Sequence, residues 1–378
     1  MKIIRITTVP ISLYFLLKGQ LKYLSNYFNV IAVSSPGDLL NKVAIRENVQ
    51  GIGINIKREI NIISDLVSLY KLYILFKKEK PDIVHSLTPK SSLLSMIAAW
   101  MAKVPHRYYS VTGLRFEGCT GLLRWTLINM ERISCYFATK VIPEGNGVKE
   151  KLIKYSITNK PLEVILNGSI NGIDLQYFSK NNYEKNLRDE LNIEPNDTLF
   201  CFVGRLVGDK GINELIQSFH RLNNIHPNSK LLLVGPFEKD LDPLKNEIYD
   251  LINTNKSILH VGFQEDIRPY LNSSDIFVFP SYREGFPNVV LQAGAMDLPC
   301  IVTDINGSNE IIKNGINGLI IPPKDSDSLY NAMIELFLNK SIRLRMANAA
   351  REMIETRYEQ QLIWQELLKE YQSIDKNV

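Results

Sequence analysis

Two successive stretches of the chain repeat one rhythm, short β-rich apolar runs separated by longer segments of helical periodicity, and few architectures accommodate it. In the first stretch the runs are KIIRITTV, NVIAVSS, DIVHS, RYYSV and TKVIP, with a helical pattern from Ile60 to Lys80 among the intervening segments. After residue 174 the rhythm restarts with TLFCFVG, KLLLVG, SILHVG, DIFVFPS, PCIVTD and GLIIP. Strands alternating with helices predict a parallel sheet flanked by helices, so the fold class is α/β with two sheets. The length of 378 residues agrees, since it exceeds what one ordinary core accommodates. No sequence period of about 20 to 50 residues recurs, which excludes a solenoid.

Between the stretches lies LNGSINGIDLQYF, Leu166 to Phe178, whose Gly, Ser, Asn and Asp punctuation suits a chain crossing between domains. The boundary is placed near Asp174, giving domains over 1–174 and 175–355. From Asn339 to Ile374 an apolar helical pattern through Leu344, Ala347, Met353, Ile354, Ile363, Trp364, Leu367 and Tyr371 predicts two closing helices. The last, over 356–378, is expected to pack back on the first domain.

Apolar residues at 45% and charged residues at 22% are ordinary for a globular chain and exclude disordered and fibrous classes. Cys119, Cys135, Cys201 and Cys300 lie far apart, with no CxxC pair and no histidine at ligand spacing, so neither a zinc site nor a disulfide framework is indicated and a reducing compartment is expected. The opening MKIIRITTVP reads as a first strand rather than a signal peptide. The longest nearly uncharged apolar stretch, Ser92 to Ala102, is far short of the roughly 20 residues that span a bilayer.

The net charge of +4 conceals an asymmetry. Residues 1–170 hold 23 Lys and Arg against 11 Asp and Glu, a net +12, and residues 171–378 hold 21 against 29, a net −8. A basic half serves nucleic acid, an anionic membrane surface, a polyphosphorylated ligand or simple solubility, and charge alone does not choose among them. No helix-turn-helix, zinc or RNA-binding motif is present, so nucleic acid is set aside.

Two segments carry candidate chemistry. In FVGRLVGDKGINELIQSF, Phe202 to Phe219, an apolar strand ends in a glycine turn and a helix begins after Lys210-Gly211. Gly204 permits close backbone approach, and Arg205 and Lys210 offer charged donors to a diphosphate; the alternative is a solvated strand-to-helix loop. In FPSYREGFPNVVLQAGAMDLPCIVTD, Glu284-Gly285 precedes a helix expected to start at Pro287. The N–H groups of Phe286, Asn288 and Val289 would then form an anion site at a helix N-terminus, with Glu284 accepting from sugar hydroxyls. Gln292, slightly more than two turns after Glu284, can lie along the same ligand-facing edge; the alternative is a surface helix whose dipole Glu284 complements.

Taken together, the two segments resemble the retaining GT-B glycosyltransferases of family 4, which include many capsule and O-antigen sugar transferases. The resemblance extends over nearly the whole chain, through IVHSLTPKSSLLSMIAA, YSVTGLRFEG, NGSINGID and VGFQEDIRPYLNSSDIFVFPS. It implies two Rossmann-like parallel-sheet domains facing each other across a cleft, with C-terminal helices closing the structure. It also implies that Arg205 and Lys210 hold the donor diphosphate, that Glu284 holds the transferred sugar, and that the backbone from Gly285 through Phe286 and Pro287 to Asn288 holds phosphate and sugar. The base would contact the Val261 to Asp266 region, which includes Phe263. Gln292 stands where the family commonly has a second Glu that bonds the ribose, and Leu87 and Thr112 stand where related sequences often have histidines. That leaves His85 as the histidine candidate for catalysis, equally readable as a strand-end core residue, with Thr88, Lys90, Thr112, Arg115 and Glu117 as acceptor-side polar groups.

The implied reaction is retaining transfer of a hexosyl or N-acetylhexosaminyl group from a nucleotide-diphosphate donor, UDP first among the candidates, to a glycan acceptor. No metal or other cofactor is implied, the nucleotide-sugar being a substrate. The strings Asp240-Leu-Asp242 and Asp325-Ser-Asp327 are read as helix caps. The basic half and KLYILFKKEK, Lys71 to Lys80, suggest a polyprenyl-diphosphate-linked acceptor met at an anionic membrane, hence a cytoplasmic chain peripheral on the inner face of the cytoplasmic membrane. The rival readings are a sugar-nucleotide epimerase on the same fold and a noncatalytic nucleotide-sugar-binding subunit, the latter motivated by Gln292, Leu87 and Thr112.

Overall fold

The computed structural model describes residues 1–180, 187–238 and 242–374. The chain divides into two compact units, Met1–Asn171 with the segment from Gln361 onward, and Gly172–Gln360. The first crossing falls inside the Leu166 to Phe178 stretch, and the return falls at Gln360, later than the 355/356 boundary expected.

The first unit runs β1 (Lys2–Ile6), α1 (Pro10–Leu16), α2 (Gln20–Ser25), β2 (Asn29–Ser34), α3 (Asp38–Glu47), β3 (Gln50–Gly53), α4 (Ile62–Glu79), β4 (Ile83–Ser86), α5 (Pro89–Met101), β5 (His106–Val111), α6 (Gly121–Phe137), β6 (Lys140–Pro143) and α7 (Asn146–Lys154). All neighbouring strands are parallel, in the order β3-β2-β1-β4-β5-β6. The second unit runs β7 (Thr198–Val203), α8 (Ile212–Ile225), β8 (Ser229–Val234), α9 (Asn246–Thr254), β9 (Ile258–His260), α10 (Arg268–Asn272), β10 (Ile276–Phe279), α11 (Asn288–Ala295), β11 (Cys300–Thr303), α12 (Ser308–Ile311), β12 (Gly318–Ile321), α13 (Ser326–Leu338) and α14 (Lys340–Tyr358). Its sheet is also parallel, in the order β12-β11-β10-β7-β8-β9.

Central strands such as TLFCFV and IFVF are buried along their whole length, as strands covered on both faces must be, and their Val, Ile, Leu and Phe content follows from that. β3, QGIG, is the strand that sequence reasoning missed. It is an edge strand with two glycines and mostly exposed residues, and gives almost no periodic signal. The final helix, α15 (Gln360–Gln372), contributes Leu367 and Tyr371 to a core of the first unit alongside Ile3, Leu13, Ala32 and Ile83.

In each sheet the strand order reverses direction once, between β1 and β4 in the first unit and between β7 and β10 in the second. In open parallel sheets the crevice beyond the carboxyl ends of such a strand pair is where ligands bind. No helix among the described residues is long and apolar enough to cross a membrane.

Candidate active site

Both sequence segments singled out for chemistry sit at the reversal point of the second sheet. β7 leads into the loop carrying Gly204, Arg205 and Lys210, and the adjacent strand β10 leads into the loop carrying Ser281 and Glu284. The loops are joined through backbone as well as side chains. The Tyr282 N–H donates to the Asp209 carbonyl at 2.8 Å, and the Arg283 guanidinium meets the Asp209 carboxylate at 2.7 Å. Gly211 lies where the loops press closest. Its φ is +71°, and a Cβ there would overlap the Pro280 carbonyl. Only glycine meets both demands.

Lys210 forms an ion pair with Glu284 through Oε1, and the buried Ser281 hydroxyl donates to the same oxygen at 2.9 Å. The Lys210 ammonium also lies 5.5 Å from the centroid of the Phe279 ring. Lysine, serine and carboxylate are thus assembled from strand ends that neighbour one another in the sheet. Lysine supplies a positive charge for a phosphate, and Glu284 retains acceptor capacity for hydroxyls.

α11 begins at Asn288, with Pro287 as its N-cap, so the proline sits one position before the helix rather than at its first residue as expected. The cause is local: Pro287 holds an extended ψ of 101°, and its carbonyl accepts from Val290 N–H at 3.0 Å, closing the first turn from outside. Asn288, Val289 and Gln292 are half-buried and Phe286 is buried. The Gly285 to Pro287 backbone is backed by Gly307, where a Cβ would stand 2.7 Å from Gly285 O, Phe286 Cα and Pro287 Cδ.

Arg205 is not gathered onto Glu284. It pairs with Glu238 and remains about half exposed at 48%. Phe263 is exposed, just past Gly262. Of the DxD strings, Asp325 caps α13, accepting from Asp327 N–H at 3.1 Å and Ser328 N–H at 2.9 Å. Asp240 lies outside the described residues. Asp242 is no helix cap; its carboxylate accepts from Asp209 N–H at 2.5 Å and so braces the loop that carries Lys210, while α9 starts later, behind Lys245.

The candidates of the first unit lie at the ends of β4 and β5. Of the two readings of His85, the structure fits the core one. It is a buried core residue, with Nδ1 on the Tyr371 hydroxyl at 2.5 Å and Nε2 on the Ser110 hydroxyl at 2.7 Å. Burial and the neighbouring Arg5 guanidinium hold its pKa well below the usual histidine value, so it is neutral with both nitrogens engaged. A general base needs a nitrogen open to the reacting proton, and His85 offers none. Thr88 accepts from Thr8 N–H at 2.8 Å and pairs with the Thr8 hydroxyl at 2.8 Å, which ties the β1 and β4 ends at the reversal point of this sheet. Lys90 is buried and bound to the Asp65 carboxylate at 2.8 Å and to the Glu59 carbonyl, so it is committed to the protein. Glu117 pairs with Lys151, Thr112 donates to the Leu87 carbonyl at 3.2 Å, and Arg115 is exposed. Leu87 is core.

Sequence reasoning missed Ser281, Asp209, Asp242 and Gly307. Ser281 alone carried a usable signal, standing three residues before Glu284 at the end of an apolar strand.

Two parallel sheets of this order, with a lysine and a glutamate meeting at one reversal point, define a two-domain GT-B glycosyltransferase fold. The family model of glycosyl transferases group 1 matches residues 184–353, and that of the glycosyl transferase 4-like family matches residues 8–144. The capsular polysaccharide biosynthesis glycosyltransferase CapM of Staphylococcus aureus is 34% identical over 383 residues, covering 99% of this chain and 98% of that protein. An Escherichia coli UDP-Gal:alpha-D-GlcNAc-diphosphoundecaprenol alpha-1,3-galactosyltransferase is 33% identical over 79% of this chain and 77% of its own length. Among solved structures, Anabaena HepE in complex with UDP and glucose superposes with a TM-score of 0.84 at 18% identity, covering 99% of this chain and 100% of that one. The chain belongs to the group 1 glycosyl transferases, the GT-B glycosyltransferases of family 4.

Proposed function

We propose that this glycosyltransferase moves a hexosyl or N-acetylhexosaminyl group, with retention, from a UDP-sugar to a polyprenyl-diphosphate-linked glycan during capsule or O-antigen synthesis. The Lys210–Glu284 pair carries the reading, because it places a phosphate-binding cation beside a hydroxyl-accepting carboxylate. The E. coli relative, named for a UDP-galactose donor and a diphosphoundecaprenol acceptor, supports the choice of substrates.

In the reaction the bond from the anomeric carbon to the donor phosphate breaks and a bond to the acceptor oxygen forms. Positive charge develops on the sugar and negative charge on the departing phosphate. Lys210 and the α11 N-terminus lie at one strand-end crevice and stabilise that phosphate, with Arg205 joining after release from the half-buried Glu238. Glu284 orients the sugar through its hydroxyls. The leaving phosphate oxygen takes the acceptor hydroxyl proton on the same face, which gives retention without a protein base and agrees with the engagement of both His85 nitrogens. Lys210 and the helix end supply the positive field, so the proposed reaction needs no divalent ion. The enzyme works at the inner face of the cytoplasmic membrane, where such an acceptor is held.

The test is nucleotide release from UDP-, GDP- and dTDP-sugars, with and without a lipid-diphosphate acceptor extract, for wild type, Lys210→Ala and Glu284→Ala. A hydrogen bond to a charged group contributes roughly 1.5–3 kcal/mol, so each variant is expected to lose about ten- to a hundredfold or more in rate. Unchanged release with EDTA is expected. Nucleotide binding without acceptor-dependent release across the panel would sink the transferase reading in favour of a noncatalytic subunit, and sugar conversion without acceptor would favour an epimerase.

A further inference from the structure

α4 is apolar on both faces. Its inner face, with Leu72, Leu75 and Phe76, belongs to the core of the first unit and packs on α5. Its outer face carries Ile62, Ile63, Leu66, Val67, Tyr70 and Ile74, each between 47% and 78% exposed. The spacings 63, 67, 70 and 74, with 62 and 66 alongside, gather these six on one side of the helix. A helix apolar all round is ordinarily covered on every side, and an exposed apolar stripe of this extent marks a surface made for a partner.

Charge selects the partner. The acidic groups of α4 are neutralised within the unit, Asp65 by Lys90 at 2.8 Å and Glu79 by Lys2 at 2.9 Å. The exposed cations Lys71, Lys77 and Lys78 on the helix, and Lys57 and Arg58 just before it, outnumber the one exposed carboxylate beside them, Glu59, and set a positive field along the stripe. α6, which also packs on α5, exposes Leu122, Trp125 and Tyr136, the latter two of the aromatic types that favour membrane interfaces. An apolar stripe bordered by lysines fits a bilayer of anionic lipid, with the side chains among the upper acyl chains and the cations at the headgroups.

We infer that the outer face of α4 is the membrane-docking surface, inserted edge-on into anionic lipid. This rests on the reading that the acceptor is membrane-borne, and it adds the element and residues that bring the enzyme there.

The experiment is flotation of the full chain with vesicles of phosphatidylglycerol and phosphatidylcholine, and with phosphatidylcholine alone. Wild type is expected to float with the anionic vesicles. The Ile63→Ser, Leu66→Ser double variant is expected to lose about tenfold or more of that binding with its thermal midpoint unchanged, since the replaced side chains face solvent. Ile63→Lys keeps the attraction while removing the apolar group, so it should float at low salt and detach at a salt concentration where wild type stays bound. Wild type that does not float, variants that float like wild type, or a double variant that turns a dimer into a monomer without changing flotation would overturn the inference; the last outcome would assign the stripe to a second copy of the chain. Turnover on the lipid-diphosphate acceptor dispersed in detergent reports separately on the acceptor. If flotation is lost only in the variants while no such acceptor supports turnover, the docking surface stands and the acceptor assignment falls.

Discussion

Lys210 and Ser281 converge on one oxygen of Glu284, the first by ion pair and the second by a 2.9 Å hydrogen bond. Oε2, the other oxygen, takes no partner among the described residues. The serine therefore fixes the rotation of the carboxylate, so that one oxygen is held by the protein and the other keeps its capacity to accept from a ligand.

Ser281→Ala is expected to lower kcat about ten- to a hundredfold, the effect of losing one hydrogen bond to a charged group, while leaving nucleotide affinity within about twofold. Steady-state kinetics with a nucleotide-binding titration checks this. A variant with normal kcat and weakened nucleotide binding would refute the orienting role.

Gly211→Ala is expected to destabilise the protein by about 2 kcal/mol or more, because a left-handed φ of +71° and the adjacent Pro280 carbonyl both oppose a Cβ. Urea unfolding measures the loss. Activity should fall too, as Gly211 directly follows Lys210.

His85→Phe should lower the thermal midpoint, since the Tyr371 and Ser110 hydroxyls lose their buried partner, at about 1–3 kcal/mol for each group left unsatisfied. Specific activity of the folded variant is expected within about threefold of wild type. The pH dependence follows from the lowered pKa. The native imidazole stays neutral where the unfolded one protonates, so its contribution is complete above the unfolded value near 6.5 and is lost as pH falls through the lower native value. The variant should flatten that acid limb.

Glu131 acts in the opposite direction. It is on the buried face of α6 with the Tyr109 hydroxyl donating to it at 2.6 Å, and burial pushes its pKa up to about 7. A raised carboxyl favours the native state fully below its unfolded value of about 4.5, and that advantage is lost as pH rises through about 7. The difference is on the order of 3 kcal/mol. Glu131→Gln is therefore expected to raise the thermal midpoint at pH 8 relative to wild type, with a much smaller change at pH 5. An equal change at both pH values would count against it.

The alternation of strands and helices was legible because buried parallel strands are nearly continuous apolar runs, as TLFCFV shows. QGIG was not, since an exposed edge strand needs no such run. At the site, Lys210 and Glu284 could be picked out because charge beside glycine at a strand end is chemically unusual. The duty of Ser281 could not, since serine at a strand end is common and its role depends on where Glu284 turns. His85 shows the converse. A histidine at a strand end reads equally as reactive or as core until Tyr371, far along the chain, is seen to occupy Nδ1. The basic end of α4 could be read from KLYILFKKEK, but the outer stripe from Ile62 to Tyr70 could not, as apolar periodicity on both sides of a helix does not say which side the protein covers.

The pairing of Arg5 with Tyr371 at 3.0 Å joins residues 366 positions apart, and makes the second unit an insertion within the first. On the ribosome, Arg5 and His85 emerge early and wait with polar groups unmet while the whole inserted unit is made and is free to close its own sheet. The order of maturation should thus run against the order of synthesis, with the donor-binding unit finished first and the earliest-made strands completed last. A chain halted before Tyr371 would carry the Lys210–Glu284 pair in a folded unit, beside a first sheet still missing its last helix.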